Sequence, residues 1–253
     1  MQRRSRHRLP ARSPGDSRVN DVAAYLQERF VGADEFASRC GSSREELASL
    51  IALRLAPAPA YRVDATGTMH SHVFGAVAAQ APEGEWFNPD ACTWIAQARD
   101  ALAACDNDAT RAAERLKACF RDGYVQALRA SHAMEGPIPG LHDAAGSFDE
   151  AAFHAQFPDI WAHFLAGTYG LCVAQPSSEA RIVEKETAQA RLTHLTANGT
   201  RRDFSDDEKT AVRGLIARYR VLSMPFSPAE YPRSSRKRLV DDMLPHVSAG
   251  DAP

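Results

Sequence analysis

The stretch FPDIWAHFLAGTYGLC, Phe157 to Cys172, constrains the fold of this chain more than any other. It is the densest aromatic run in the sequence. Pro158 suits the first turn of a helix, where a missing N–H leaves no bond unmade. Ile160, Trp161, Phe164 and Leu165 then recur at three- and four-residue spacing, the pattern of one buried helical face. Gly167 suits a left-handed helix end. Tyr169 and Leu171 follow it and are apolar enough to fold back onto the same core. The spacing predicts a central core helix with a sharp, buried exit.

The rest of the chain reads as helices around this one. Val22, Tyr25, Leu26 and Phe30 share one face of a short helix from Asp21. Residues 33–40 form a second helix, ended by Gly41. Ser43, with Glu46 three residues on, has capping-box spacing for a third, whose stripe is Leu47, Leu50, Ile51 and Leu55. Pro57 and Pro59 stop it. Two helices joined at Gly41 have the outline of a helix-turn-helix, and the APAPAYRV segment after them resembles the approach to a wing in regulators of the mercury-resistance type. Residues 62–87 have no clean period and leave room for a short extended segment.

Further on, Asn88 and Asp108 stand where N-caps belong, before helices expected at about 89–105 and 109–132. The short connection between these two predicts an antiparallel hairpin. Ser147 with Glu150, and Ser205 with Glu208, repeat the capping-box spacing. Residues 178–197 read as a polar helix, and residues 206–222 as an amphipathic one. Ser234 or Ser235 opens a last helix, which Pro245 ends. The expected fold class is all-α. A disordered basic tail (1–18) and a helix-turn-helix-like module (19–63) lead into a larger helical domain (64–245), with a second disordered tail over 246–253.

Charge narrows the function. The chain has 30 Lys and Arg against 32 Asp and Glu, a formal net charge of −2. Bulk electrostatic attraction to nucleic acid or to an anionic membrane is not expected from that balance. Six arginines crowd residues 2–18, without the apolar core of a signal peptide. No apolar run reaches the roughly 20 residues needed to cross a bilayer. The five cysteines are widely spaced, odd in number and without a CxxC pair. Together these features predict a cytoplasmic protein with reduced thiols. A DNA-reading helix needs Arg, Lys, Asn or Gln in its first turn. Here Arg44 is followed by Glu45 and Glu46, whose carboxylates repel phosphates, so nucleic acid is not the expected partner.

Motifs for known chemistries are absent. There is no GxSxG elbow, phosphate-binding loop, dinucleotide fingerprint or HExxH. The double aspartates Asp206-Asp207 and Asp241-Asp242 lack the third acid that a magnesium–diphosphate motif requires. His70 and His72 would face one side of a strand, the spacing of two metal ligands. A third ligand would have to come from Cys92, His142 or an acid, and two loop histidines are more often solvated. Neither a metal nor another cofactor is expected. Cys172 reads as a buried small hydrophobe before it reads as a nucleophile. The best polar constellation is Tyr231, Ser234, Ser235 and Arg236. Hydroxyls and free N–H groups at a helix start beside arginines suit an anion, and a capped helix with a basic face is the simpler reading.

Three motifs also carry a resemblance: LAPAPAYRV (Leu55 to Val63), WAHFLAGTYGLC (Trp161 to Cys172) and YPRSSRKRLVDDM (Tyr231 to Met243). With these the chain resembles, from about residue 20 to 245, a bacterial family of uncharacterised proteins named after natural-product biosynthesis. The resemblance implies an association with a biosynthetic pathway and transfers no catalytic residues. The expected function is an accessory protein of such a pathway, binding a partner protein or a small anionic ligand. A DNA-binding regulator using residues 21–63 and an enzyme of unrecognised mechanism are the alternatives.

Overall fold

The structure is a computed structural model and describes residues 14–143 and 145–248. Helices dominate, but the chain is not all-α. Five short strands form one antiparallel sheet: β1 (Val31–Gly32), β2 (Tyr61–Val63), β3 (Thr68–Ser71), β4 (Gly75–Ala78) and β5 (Gly84–Phe87). Their spatial order is β1-β5-β2-β3-β4. Each strand has only two to four residues, too few for a period of two to emerge from the sequence. The register sets Tyr61 opposite Trp86, Arg62 opposite His70 and Met69 opposite Val77. Tyr61, Val63 and Met69 are buried, while Arg62 is exposed. The sheet runs from residue 31 to residue 87 and so crosses position 63, the expected end of the N-terminal module.

Ten α-helices are present among the described residues. The first three are α1 (Pro14–Arg29), α2 (Ala33–Arg39) and α3 (Arg44–Ala52). The hairpin follows as α4 (Cys92–Ala104) and α5 (Ala109–Glu135). Then come α6 (Glu150–Leu165), α7 (Thr168–Cys172), α8 (Glu179–Leu195), α9 (Asp206–Leu222) and α10 (Leu244–Val247). Residues 14–18 belong to α1 rather than to a tail. Residues 1–13 and 249–253 lie outside the described residues.

The caps are partly as expected. Asp108 accepts from Thr110 and Arg111 at the start of α5, and Ser205 with Glu208 completes a full capping box on α9. At α3 only half of the box forms. Ser43 caps Glu46, but the Glu46 carboxylate turns to Ser42 and Arg99. At α6 the cap is Asp149, which accepts from Ala152, and not Ser147. Pro158 neither opens nor restarts a helix. It lies inside a continuous α6, two turns in. Pro245 likewise sits in the first turn of α10 instead of ending a helix, and the segment before it contains a π-helical turn, Lys237–Asp241.

Three hydrophobic clusters hold these elements. The largest centres on aromatic contacts among α4, α5 and α6. Phe164 meets Trp94 at 4.9 Å and Phe120 at 4.6 Å between ring centroids, and Phe120 meets Trp161 at 5.4 Å. The second joins α1 and the sheet to Leu171, Met224 and Phe226. The third packs α8, α9 and the C-terminal segment. Gly167, with φ +76°, lets the exit of α6 lie directly on the carbonyls of Ala58 and Pro59. Ala58 N–H bonds Leu165 O beside it at 2.9 Å.

The N-terminal helix pair is fastened to α4. Cys40 and Cys92 form a disulfide with Cα atoms 5.1 Å apart, so the expected fully reduced state is corrected. Cys105, Cys119 and Cys172 are free. Arg99 on α4 donates to Glu46, to Cys40 O and to Gly41 O. It thereby ties down the turn between α2 and α3. Arg44, the residue placed to read a base, is paired with Glu85 of β5 at 2.8 Å.

Candidate functional site

The central run and α8 enclose a cleft of about 300 Å³. Tyr124 and Leu128 of α5 form one wall, and Ile138, Pro139 and Leu141 of the following loop form another. Gln156, Asp159, Ile160 and His163 of α6 stand at the mouth. Tyr169 of α7 and Glu186, Thr187 and Ala190 of α8 complete it. The mouth residues Gln156, Asp159 and His163 are exposed, whereas Tyr124, Tyr169 and Thr187 are buried. Apolar walls with a few convergent polar groups are the ordinary make-up of a small-molecule site.

Burial and charge set the chemistry of the lining and of the residues packed beside it. Lys185 is 3 % exposed and donates to Glu186 Oε1 at 2.8 Å. Burial alone pulls its ammonium down, but the Glu186 carboxylate, with Tyr219 and Cys172, more than offsets this and holds Lys185 above the ordinary lysine value. Burial pushes the Tyr169 hydroxyl far up, and Tyr124 and Glu186 push it further. Tyr124 is raised chiefly by burial and then by Glu186. Burial raises the Cys172 thiol to about 11, against the opposing charge of Lys185. Tyr124 and Tyr169 therefore keep their phenolic protons, and Lys185, next to the lining residue Glu186, keeps its positive charge. These groups hydrogen-bond and neutralise charge.

The anion candidates lie in one short segment but point to different partners. Ser234 is buried, donating to Tyr231 O at 2.7 Å and accepting from Lys237 N–H at 3.0 Å. Ser235 shares a 2.8 Å bond with the Tyr219 hydroxyl. Arg236 donates to Ser223 O at 3.1 Å and Arg220 O at 3.2 Å, carbonyls at the end of α9. Tyr231 donates to Asp241, and burial together with that carboxylate raises it to about 12.

The two histidines also part. His70 pairs with Asp64 at 2.9 Å, while His72 leaves the strand and meets the His163 ring edge-on at 5.5 Å. Cys92 is in the disulfide, and His142 stacks on His132 at 4.2 Å. Among the described residues, no three His, Cys, Asp or Glu gather in a way that could hold a metal.

Sequence reasoning placed Tyr169 in the core and overlooked Lys185, Glu186 and Arg191. The signal was present: Lys185 and Arg191 fall three residues after Ile182 and Ala188, inside the buried stripe of α8. Charged residues at those positions look like breaks in an apolar face and hide the stripe.

Fold and site thus define a predominantly helical protein with a small antiparallel sheet and a polar-floored cleft among its central helices. The chain belongs to the family of unknown function DUF6058, whose model matches residues 116–248. Every residue lining the cleft lies within that span. No curated protein and no solved structure matches the chain. No helix among the described residues is long and apolar enough to cross a membrane.

Proposed function

We propose that this protein is a small-molecule-binding accessory protein whose ligand sits in the cleft between α5, α6, α7 and α8. One observation carries the reading. Buried Tyr124 and Tyr169, with Glu186, which is bonded to the buried Lys185, line an apolar-walled space that opens to solvent. Asp159 and Glu186 are the acids of the lining, and only Glu186 is bonded to a lysine, Lys185 outside it, so the surplus charge is negative. The ligand class that fits has an apolar body and bears hydroxyl or amine donors. The resemblance to proteins named after natural-product biosynthesis supplies the setting: an accessory role in which the cleft carries or senses an intermediate. The anion expectation at Tyr231, Ser234, Ser235 and Arg236 is not adopted, because those groups already have partners within the chain. DNA binding draws no support from Arg44, which is engaged by Glu85.

Native mass spectrometry of protein purified gently from its own host tests the proposal. Ala190 lines the cleft and is partly exposed, so Ala190→Phe fills the space with little cost to the fold. A bound small molecule in the wild type that is lost in Ala190→Phe supports the reading. A bound molecule retained equally by both refutes it.

A further inference from the structure

A second cleft, of about 570 Å³, lies between α8, α9 and the turn after α5. Its charged end is built from three residues. Arg191 donates to Glu135 Oε2 at 2.7 Å and to Gly136 O at 2.8 Å. Arg218 pairs with the other oxygen, Glu135 Oε1. Two guanidiniums thus share one carboxylate, which leaves one positive charge uncompensated. Arg191 is only 8 % exposed, and its Nε is buried with no hydrogen-bond partner. Arg218 is paired through a single nitrogen among the described residues. Away from this end the lining turns apolar, with Pro137, Pro139, Leu195 and Leu215.

Gly214, an exposed position on α9, shapes the apolar part of this cleft. It stands in the middle of α9, where glycine is about 1 kcal/mol worse than alanine. Nothing in the fold requires it. Its φ is not positive, and a Cβ built there meets no atom within 4 Å. Gly214 lines the cleft, so the effect of its missing side chain is to keep the cleft open.

We infer that this second cleft binds a small monocarboxylic acid with an apolar body, its carboxylate facing Arg218 and Arg191 and its body lying across Gly214 and Leu215. The site is separate from the α5–α8 cleft. It has the opposite surplus charge, and the two share Pro139 at their borders.

Calorimetric titration and thermal melting with octanoate, kept below its micelle concentration, and with 1-octanol test this directly. Octanoate is expected to bind and to raise the melting temperature, and octanol to bind roughly tenfold or more weakly, the worth of a charge-assisted hydrogen bond. Gly214→Leu is expected to melt no lower than wild type while losing octanoate roughly tenfold or more, because the added side chain occupies the space and raises helix propensity. Arg218→Gln is expected to bind acid and alcohol alike, which keeps the charge claim testable apart from the volume claim. No octanoate binding by the wild type, equal binding of octanol, or unchanged octanoate binding in Gly214→Leu would each overturn the inference. Ala190→Phe, which fills the other cleft, is expected to leave octanoate binding unchanged, so the two sites fail or stand separately.

Discussion

Tyr61 donates its phenolic hydrogen to Glu230 at 2.8 Å, with both side chains fully buried and 169 residues of chain between them. Ser227 and Ser71 donate to the same carboxylate at 2.8 and 3.2 Å. Through this one carboxylate the sheet of the N-terminal half is fastened to the segment before the YPRSSRKRLVDDM motif. Tyr61→Phe should destabilise the protein by about 1–3 kcal/mol in urea unfolding, the cost of removing one partner from a buried charged acceptor.

The same network sets a pH dependence. Burial raises the Glu230 carboxyl above its ordinary 4.5, and the three hydroxyls only partly reverse this. A folded-state value above the unfolded one means that the folded protein holds the proton more tightly. Its contribution to stability is full below pH 4.5 and is lost as pH rises through the raised value. The stability of wild type relative to Glu230→Gln should therefore decline from acid toward neutral pH. Paired urea titrations at the two ends of that window check the sign, and a rising difference would contradict it.

The Cys40–Cys92 bridge closes a loop spanning 52 residues. Loop-closure entropy for that length gives about 4 kcal/mol of stabilisation. Cys92→Ser should lose a large part of it. Alkylation of denatured, unreduced protein should label Cys105, Cys119 and Cys172 and no others. Five labelled cysteines would show that the pair stays reduced.

Lys185 and Glu186 should respond unequally to substitution. Lys185 is 4 % exposed at its side chain and Glu186 33 %. Glu186→Gln leaves a buried ammonium without its counter-charge, which should cost about 3–5 kcal/mol. Lys185→Met leaves a carboxylate that reaches water and should cost clearly less. Equal losses in thermal or urea unfolding would mean that the pair is not arranged as described.

Gly167 and Gly214 make a contrasting pair. Gly167→Ala places a Cβ against the carbonyls of Ala58 and Pro59 at a positive φ. It should cost more than the roughly 1–2 kcal/mol of left-handed strain alone. Gly214→Ala, in open space, should stabilise by up to about 1 kcal/mol. Melting temperatures of the two variants should move in opposite directions.

Helices were legible in the sequence because three- and four-residue spacing persists over many turns, as from Ala112 to Leu128 on α5. Asp108, Ser205 and Gly167 marked their ends correctly for the same local reasons. The sheet was not legible. Strands as short as Val31–Gly32 exist only by pairing with Phe87 and Trp86, more than fifty residues away. Pro158 misled because a proline inside a helix costs one bond, and the aromatic packing of Phe157, Trp161 and Phe164 outweighs that cost. The cleft was half legible. The aromatic run located one wall, whereas Lys185, Glu186 and Arg191 looked like an ordinary solvated face until α8 was seen packed between α5 and α9.

Native mass spectrometry of the protein from its own host, wild type beside Ala190→Phe, decides whether the cleft between α5, α6, α7 and α8 holds a ligand. A non-covalent adduct on the wild type, bearing hydroxyl or amine groups and missing from Ala190→Phe, is the result expected of a ligand seated between Tyr124, Tyr169 and Glu186. An adduct of the same mass on both proteins would place the ligand elsewhere and contradict the assignment of the cleft.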